Sequence, residues 1–174
     1  NWIIYTAENY FYLIYDRLHE ELLKRDLVHA DETTCQVLRE KGRTAEQTSY
    51  MWLYTTGNDG LTPIVLYDYQ PSRKGSCVQE FLEGFHGILQ TDGYSGYEKI
   101  SCEAHALCWV HARRYFVEAI PTGLEKEEIA ETTSGQALNR INELFALDKE
   151  LAELPVAERQ QERLRLEKDK LEAL

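Results

Sequence analysis

The 174-residue sequence has no CxxC pair, no long apolar run and no excess of positive charge. Each lack removes a class of protein. Without a stretch of about 18–20 apolar residues no membrane span is expected, and without a basic, apolar leader no signal peptide is. The cysteines at 35, 77, 102 and 108 stand apart from one another. In a chain of this size they read as reduced, buried thiols of a cytoplasmic protein, not as a disulfide framework. Lysine and arginine total 19 against 30 aspartates and glutamates, a formal net charge of −11. That deficit counts against strong DNA binding by this segment alone, because such affinity comes from Lys and Arg at phosphates. Local pairs such as Arg73-Lys74 and Arg113-Arg114 are the exceptions, and an acidic balance is otherwise ordinary for a soluble protein.

What the sequence does have is enough apolar and aromatic content (43% and 11%) to fold around a core. Tyrosine and tryptophan crowd before residue 116, so the core is expected there. Residues 7–25 read as an amphipathic helix with Tyr10, Leu13, Ile14, Leu18, Leu22 and Leu23 near one stripe. Residues 27–38 turn β-rich, with His29, Asp31, Thr33 and Cys35 on one face and Val28, Ala30, Glu32 and Thr34 on the other. Tyr50–Thr56 and Pro63–Tyr69 are two further strands, and Gly57-Asn58-Asp59-Gly60 between them predicts a hairpin. A helix over about 75–86, a short strand over Gly87–Thr91, a strand over His105–Val110 and a helix over Arg113–Ile120 follow.

The order is helix, three strands, helix, strand, short helix, strand, helix. A meander followed by alternating helix and strand implies a mixed sheet flanked by helices. This is the ribonuclease H-like pattern, α/β with strand order 3-2-1-4-5. Its first and fourth strands are parallel neighbours about 4.8 Å apart. After Pro121 the composition shifts to Glu, Leu, Lys and Arg; Leu138, Ile141, Leu144, Phe145 and Leu151 make one stripe, and Pro155 suits the start of a second helix. The expected division is an N-terminal helical segment (1–26), an incomplete catalytic core (27–121) and a helical hairpin arm (122–174). Both ends read as cut, so a piece of a longer protein is expected.

Two acids stand where an apolar strand meets polar sequence: Asp31 and Asp92. Hard divalent cations take carboxylate oxygens, and two such ions can stabilise the attacking and leaving oxygens of an in-line phosphoryl displacement. The plainer reading makes Asp31 a strand-end residue and Asp92 a turn-former in Asp-Gly. Cys102, His105, Cys108 and His111 recur every three residues, but such steps alternate faces in a strand, which speaks against zinc. Cys108 and Trp109 are expected in the core. His111, Arg113 and Arg114 either approach a DNA phosphate or form a solvated helix start. Glu32, Glu103 and Glu118 are in-chain candidates for a third acid; Glu32 points away from Asp31, Glu103 falls in a loop, and Glu118 reads as a surface helix residue.

Three blocks in order carry a resemblance: Leu27-Val28-His29-Ala30-Asp31-Glu32-Thr33, Gln90-Thr91-Asp92-Gly93-Tyr94-Ser95-Gly96-Tyr97, and Cys108-Trp109-Val110-His111-Ala112-Arg113-Arg114-Tyr115-Phe116. Together they resemble the transposases of the insertion sequence 66 family, bacterial DDE enzymes on a ribonuclease H-like fold. The resemblance implies Asp31 and Asp92 as the first two catalytic, metal-binding acids, Mg²⁺ (or Mn²⁺) as cofactor, transposon-end and target DNA as partners, and self-association of the full transposase. It also implies a third acid in an Asn-Asn-x-x-Glu-Arg type motif, which this sequence lacks: its only asparagines after Asn58 are Asn139 and Asn142. An isolated segment without it is expected to be inactive. Two rivals stay open, a nuclease that only cleaves and a non-enzymatic interaction module using the helical arm.

Overall fold

The computed structural model describes residues 2–172. The chain divides between Cys108 and Trp109 into two compact units. The first holds a five-stranded mixed sheet of β1 (Leu27–Gln36), β2 (Thr48–Thr56), β3 (Val65–Gln70), β4 (Ile88–Thr91) and β5 (Ala104–Leu107), in the expected order β3-β2-β1-β4-β5. The meander β1-β2-β3 is antiparallel, while β4 runs parallel to β1 and β5 parallel to β4.

The hairpin forms where the turn residues demand it. Gly60 takes φ +80°, open to glycine at little cost. Asp59 folds its carboxylate back onto the N–H of Leu61 at 2.9 Å and pairs with Arg25. Alternation decides the faces: Val28 and Ala30 of β1, Trp52 and Tyr54 of β2 and Leu66 of β3 are buried on one side with Leu89 of β4. Leu22 of α2 (Tyr12–Leu23), Val78 of α3 (Gly75–Phe81), Leu82, Phe85, Tyr97 and Ile100 close this core. Tyr54 stacks on Phe81 with ring centroids 3.8 Å apart. Gly87 fits because a Cβ there would lie 2.5 Å from the Asp26 carbonyl oxygen, so the start of β4 abuts the turn into β1.

Three expectations need correction. The N-terminal helix begins earlier than residue 7, as α1 (Trp2–Thr6), a π-helical turn (Ala7–Phe11) and α2. Its stripe is not a core stripe: Leu22 alone is fully buried, whereas Tyr10, Leu13, Ile14 and Leu18 are exposed. Spacing reports a common face, not what covers it. The strand expected over His105–Val110 ends at Leu107, and Trp109 already begins α4 (Trp109–Glu118). Cys108 and Trp109 are therefore only partly covered and do not join the core.

The second unit consists of α4, α5 (Lys126–Glu131), α6 (Thr133–Leu151), α7 (Val156–Leu166) and α8 (Lys168–Glu172). The expected two-helix arm is thus a longer series. An additional helix, α5, opens on a capping box between Glu125 and Glu128, and Thr132 caps α6 by accepting from the Gly135 N–H at 2.9 Å. The stripe Leu138, Ile141, Leu144 and Leu151 is buried as its spacing required. Arg163 pairs with Asp148 and Lys170 with Glu143, so the chain after Pro155 runs back along α6.

Candidate active site

The β1–β4 ladder pairs Leu27 with Ile88, Val28 with Leu89 and His29 with Gln90. Counted on two residues past the ladder, the same offset matches Asp31 to Asp92. Asp31 is still within β1, paired across the sheet with Leu53 of β2, and its residue is exposed. Asp92 is the first residue after β4. Its Oδ1 accepts the Tyr94 N–H at 2.8 Å, the Asx-turn that ends the strand. Gly93 supplies φ +88°, and Tyr97 donates its N–H to the Tyr94 carbonyl at 3.0 Å.

This loop is pressed against the start of α3. A Cβ on Gly75 would stand 2.7 Å from the Gly96 carbonyl oxygen, and one on Gly96 would stand 2.2 Å from the Tyr94 ring. The loop seats Tyr94 on Arg73. The Tyr94 hydroxyl donates to the Arg73 carbonyl at 2.7 Å, and its ring lies 4.0 Å from the guanidinium. Arg73 forms an ion pair with Glu32 and reaches to 3.8 Å from Asp92 Oδ2. Ion pairing therefore links Asp92 to Glu32 through Arg73.

Glu32 lies on the packed face, opposite Asp31, as alternation requires, and Tyr97 donates its hydroxyl to Glu32 Oε2 at 2.5 Å. Burial, then the hydrogen bond and charge of Glu32, push the Tyr97 phenol well above its ordinary range, so it remains a donor. Partial burial opposes the Arg73 charge, but Glu32 and then Asp92 outweigh it and raise its pKa. Sequence reasoning missed Arg73, Tyr94 and Tyr97 as site residues. The tyrosines were in view within the Gln90–Tyr97 block, and Arg73 only as one of a basic pair.

His29 stands on the Asp31 face, opposite Gln90 in the ladder. Burial lowers its pKa below the ordinary 6.5, against a hydrogen bond to Gln90 that raises it. Its contribution to stability is therefore fully present above the unfolded value and lost as pH falls below about 6.5 toward the folded one. The variant His29→Gln is expected to lose less stability than the parent sequence between about pH 7.5 and pH 5, by urea unfolding at both. An unchanged difference contradicts a half-buried imidazole held neutral.

The other candidates fall on other elements. His111, Arg113 and Arg114 fall within α4, in the second unit, where Arg113 Nε donates to Asn142 Oδ1 at 2.9 Å. Glu103 is in the turn before β5 and Glu118 ends α4, both exposed. Cys102 Sγ and His105 Nε2 lie 3.3 Å apart, but among the described residues no three His, Cys, Asp or Glu side chains gather around a common metal position. The donor chemistry of Asp31 and Asp92 nonetheless fits Mg²⁺, which takes one or two carboxylates and completes its shell with water and phosphate oxygens.

Comparison with known proteins bears on this arrangement. The model of the transposase IS66 family matches residues 1–174. An uncharacterized protein of Sinorhizobium fredii (strain NBRC 101917 / NGR234), y4qI, is 33% identical over 154 residues, covering 80% of this chain and 27% of its own length. A second from the same organism, y4hP, is 27% identical over 165 residues, 84% of this chain and 29% of its own length. The chain thus spans less than a third of these relatives. No solved structure matches it.

Proposed function

The chain belongs to the IS66 transposase family, and from that premise we propose that it forms part of the catalytic core of a DDE transposase that cuts DNA at transposon ends and joins the freed ends to a target. The single observation that carries this reading is the parallel pairing of β1 with β4, whose register, carried on two residues, matches Asp31 within β1 to Asp92 just past the end of β4. The strand order β3-β2-β1-β4-β5, with helices in the same unit, supports a ribonuclease H-like core. In this reading 1–26 is an N-terminal helical segment, 27–121 the core and 122–174 an arm, and the third acid comes from sequence beyond these residues.

Asp31 and Asp92 would hold Mg²⁺ or Mn²⁺ through their carboxylate oxygens and so help place a phosphodiester for in-line attack. When bound, such a cation would supply Lewis-acid polarisation of the phosphate and lower the pKa of the attacking water or hydroxyl. In the first step water attacks the phosphorus and the 3′-oxygen leaves as a free hydroxyl. In the second that hydroxyl attacks a target phosphodiester and displaces its 3′-oxygen, so no covalent link to the protein forms. His111, Arg113 and Arg114 contact DNA phosphates, and the remaining basic charge that a chain of −11 lacks is supplied by the rest of a cytoplasmic, self-associating transposase.

Metal addition tests the reading on this chain. A cation that binds the folded state alone stabilises it by about 2.7 kcal/mol at a hundredfold its Kd. Millimolar Mn²⁺ is therefore expected to raise the melting temperature by about 5 °C or more, and Asp31→Asn or Asp92→Asn to abolish the rise. A shift that survives both substitutions would place the metal elsewhere.

A further inference from the structure

Glu32 is not one of the paired aspartates, yet it is the more deeply buried carboxylate. Its side chain is 2% exposed, against 19% for Asp92. Both of its oxygens are engaged: Oε1 accepts from Arg73 Nε at 2.5 Å and also contacts Nη2 of the same guanidinium, and Oε2 accepts from the Tyr97 hydroxyl at 2.5 Å. The guanidinium thus stands between two carboxylates, hydrogen-bonded to one and 3.8 Å from the other.

We propose that Glu32 is a positioning residue for Asp92: by holding Arg73 it keeps the guanidinium beside Asp92 but out of direct hydrogen-bonded pairing, which leaves that carboxylate open to a cation. The inference rests on the reading of Asp92 as a metal ligand given above. A guanidinium is a permanent cation whose fork of N–H donors matches a carboxylate. Released from Glu32, it would settle on the nearest remaining carboxylate, which is Asp92, and compete there with metal. Burying a carboxylate is costly, and an apolar residue of similar size serves packing equally well. A buried acid set against Arg73 and Tyr97 is explained by what it does to Arg73. The Tyr97 hydroxyl and the Tyr94 ring complete the hold, one fixing Glu32 and the other flanking the guanidinium.

The substitution Glu32→Gln keeps the shape and an acceptor for Tyr97 while removing the charge that holds Arg73. In a crystal of the metal-free variant, Arg73 Nη2 is expected to close from 3.8 Å to hydrogen-bond distance of Asp92 Oδ2. By isothermal titration the Mn²⁺ affinity is expected to fall about tenfold and to recover in the double variant Glu32→Gln/Arg73→Gln, where the competing cation is gone. Arg73 remaining at position 32 or turning to solvent overturns the proposal, as does a double variant that binds no better than the single one. Arg73→Gln alone keeps the test open if Glu32→Gln fails to fold. It is expected to bind Mn²⁺ at least as tightly as the parent sequence, and a loss of affinity there overturns the proposal. A parent chain that takes up no Mn²⁺ defeats the metal reading and this inference with it, whereas parent binding with an unaltered Glu32→Gln affinity defeats this inference alone.

Discussion

Asp92→Asn is expected to remove strand joining by the full transposase, by about a thousandfold or more, with Asp31→Asn equally severe. Lewis-acid stabilisation of the transition state is worth several kcal/mol, and each 1.4 kcal/mol is tenfold in rate. An amide keeps the shape of the carboxylate but loses the charge that a hard divalent ion requires. The fold should survive. The amide oxygen can still accept the Tyr94 N–H that ends β4, and Asp31 is exposed on its strand. The measurement is the yield of joined product from a labelled transposon end, with near-ultraviolet circular dichroism to confirm packing. Joining that persists in Asp92→Asn removes that residue from the chemistry. Nicked ends without joined product, from the unsubstituted transposase, point instead to a nuclease that only cleaves.

Trp52→Ala is expected to destabilise the sheet unit by about 3–5 kcal/mol, as for other aromatic truncations in a core. Trp52 is fully buried in β2, opposite Glu32 in the ladder, with its ring edge-on to Tyr97 at 5.8 Å. The cavity would open beneath the Tyr97–Glu32 hydrogen bond, so packing loss and loosening of the acidic network arrive together. Trp52→Phe is expected to cost much less, because the indole N–H meets no acceptor among the described residues and little hydrogen bonding is forfeited. Urea unfolding of the two variants measures both figures. Equal losses would mean that the indole nitrogen is bound after all.

The sheet was legible because its signals are local. The Gly57–Gly60 turn fixes the β2–β3 hairpin, and alternation in Val28–Glu32 fixes which side of β1 is buried. The expected end of the apolar strand at Asp31 was not legible, because β1 runs on to Gln36; only Asp92 directly follows its strand. The end of β5 was not legible. His105–Val110 is a run with no glycine or proline to stop it, and nothing local shows that Trp109 begins a helix. The stripe of Tyr10, Leu13, Ile14 and Leu18 has helical spacing, but burial depends on tertiary neighbours that periodicity does not contain. The Glu32–Arg73–Tyr97 network joins residues 41 and 65 positions apart, beyond any reading of pattern. Alternation did show that Glu32 turns away from Asp31; it could not show that Arg73 would bring Glu32 back to Asp92.

Anomalous diffraction from a crystal of this chain grown with Mn²⁺ tests the central claim most directly. A manganese peak within coordination distance of carboxylate oxygens from both Asp31 and Asp92 is the expected result. A peak bound at other side chains, or bound to one aspartate with the other turned away across the sheet, contradicts the shared cation site.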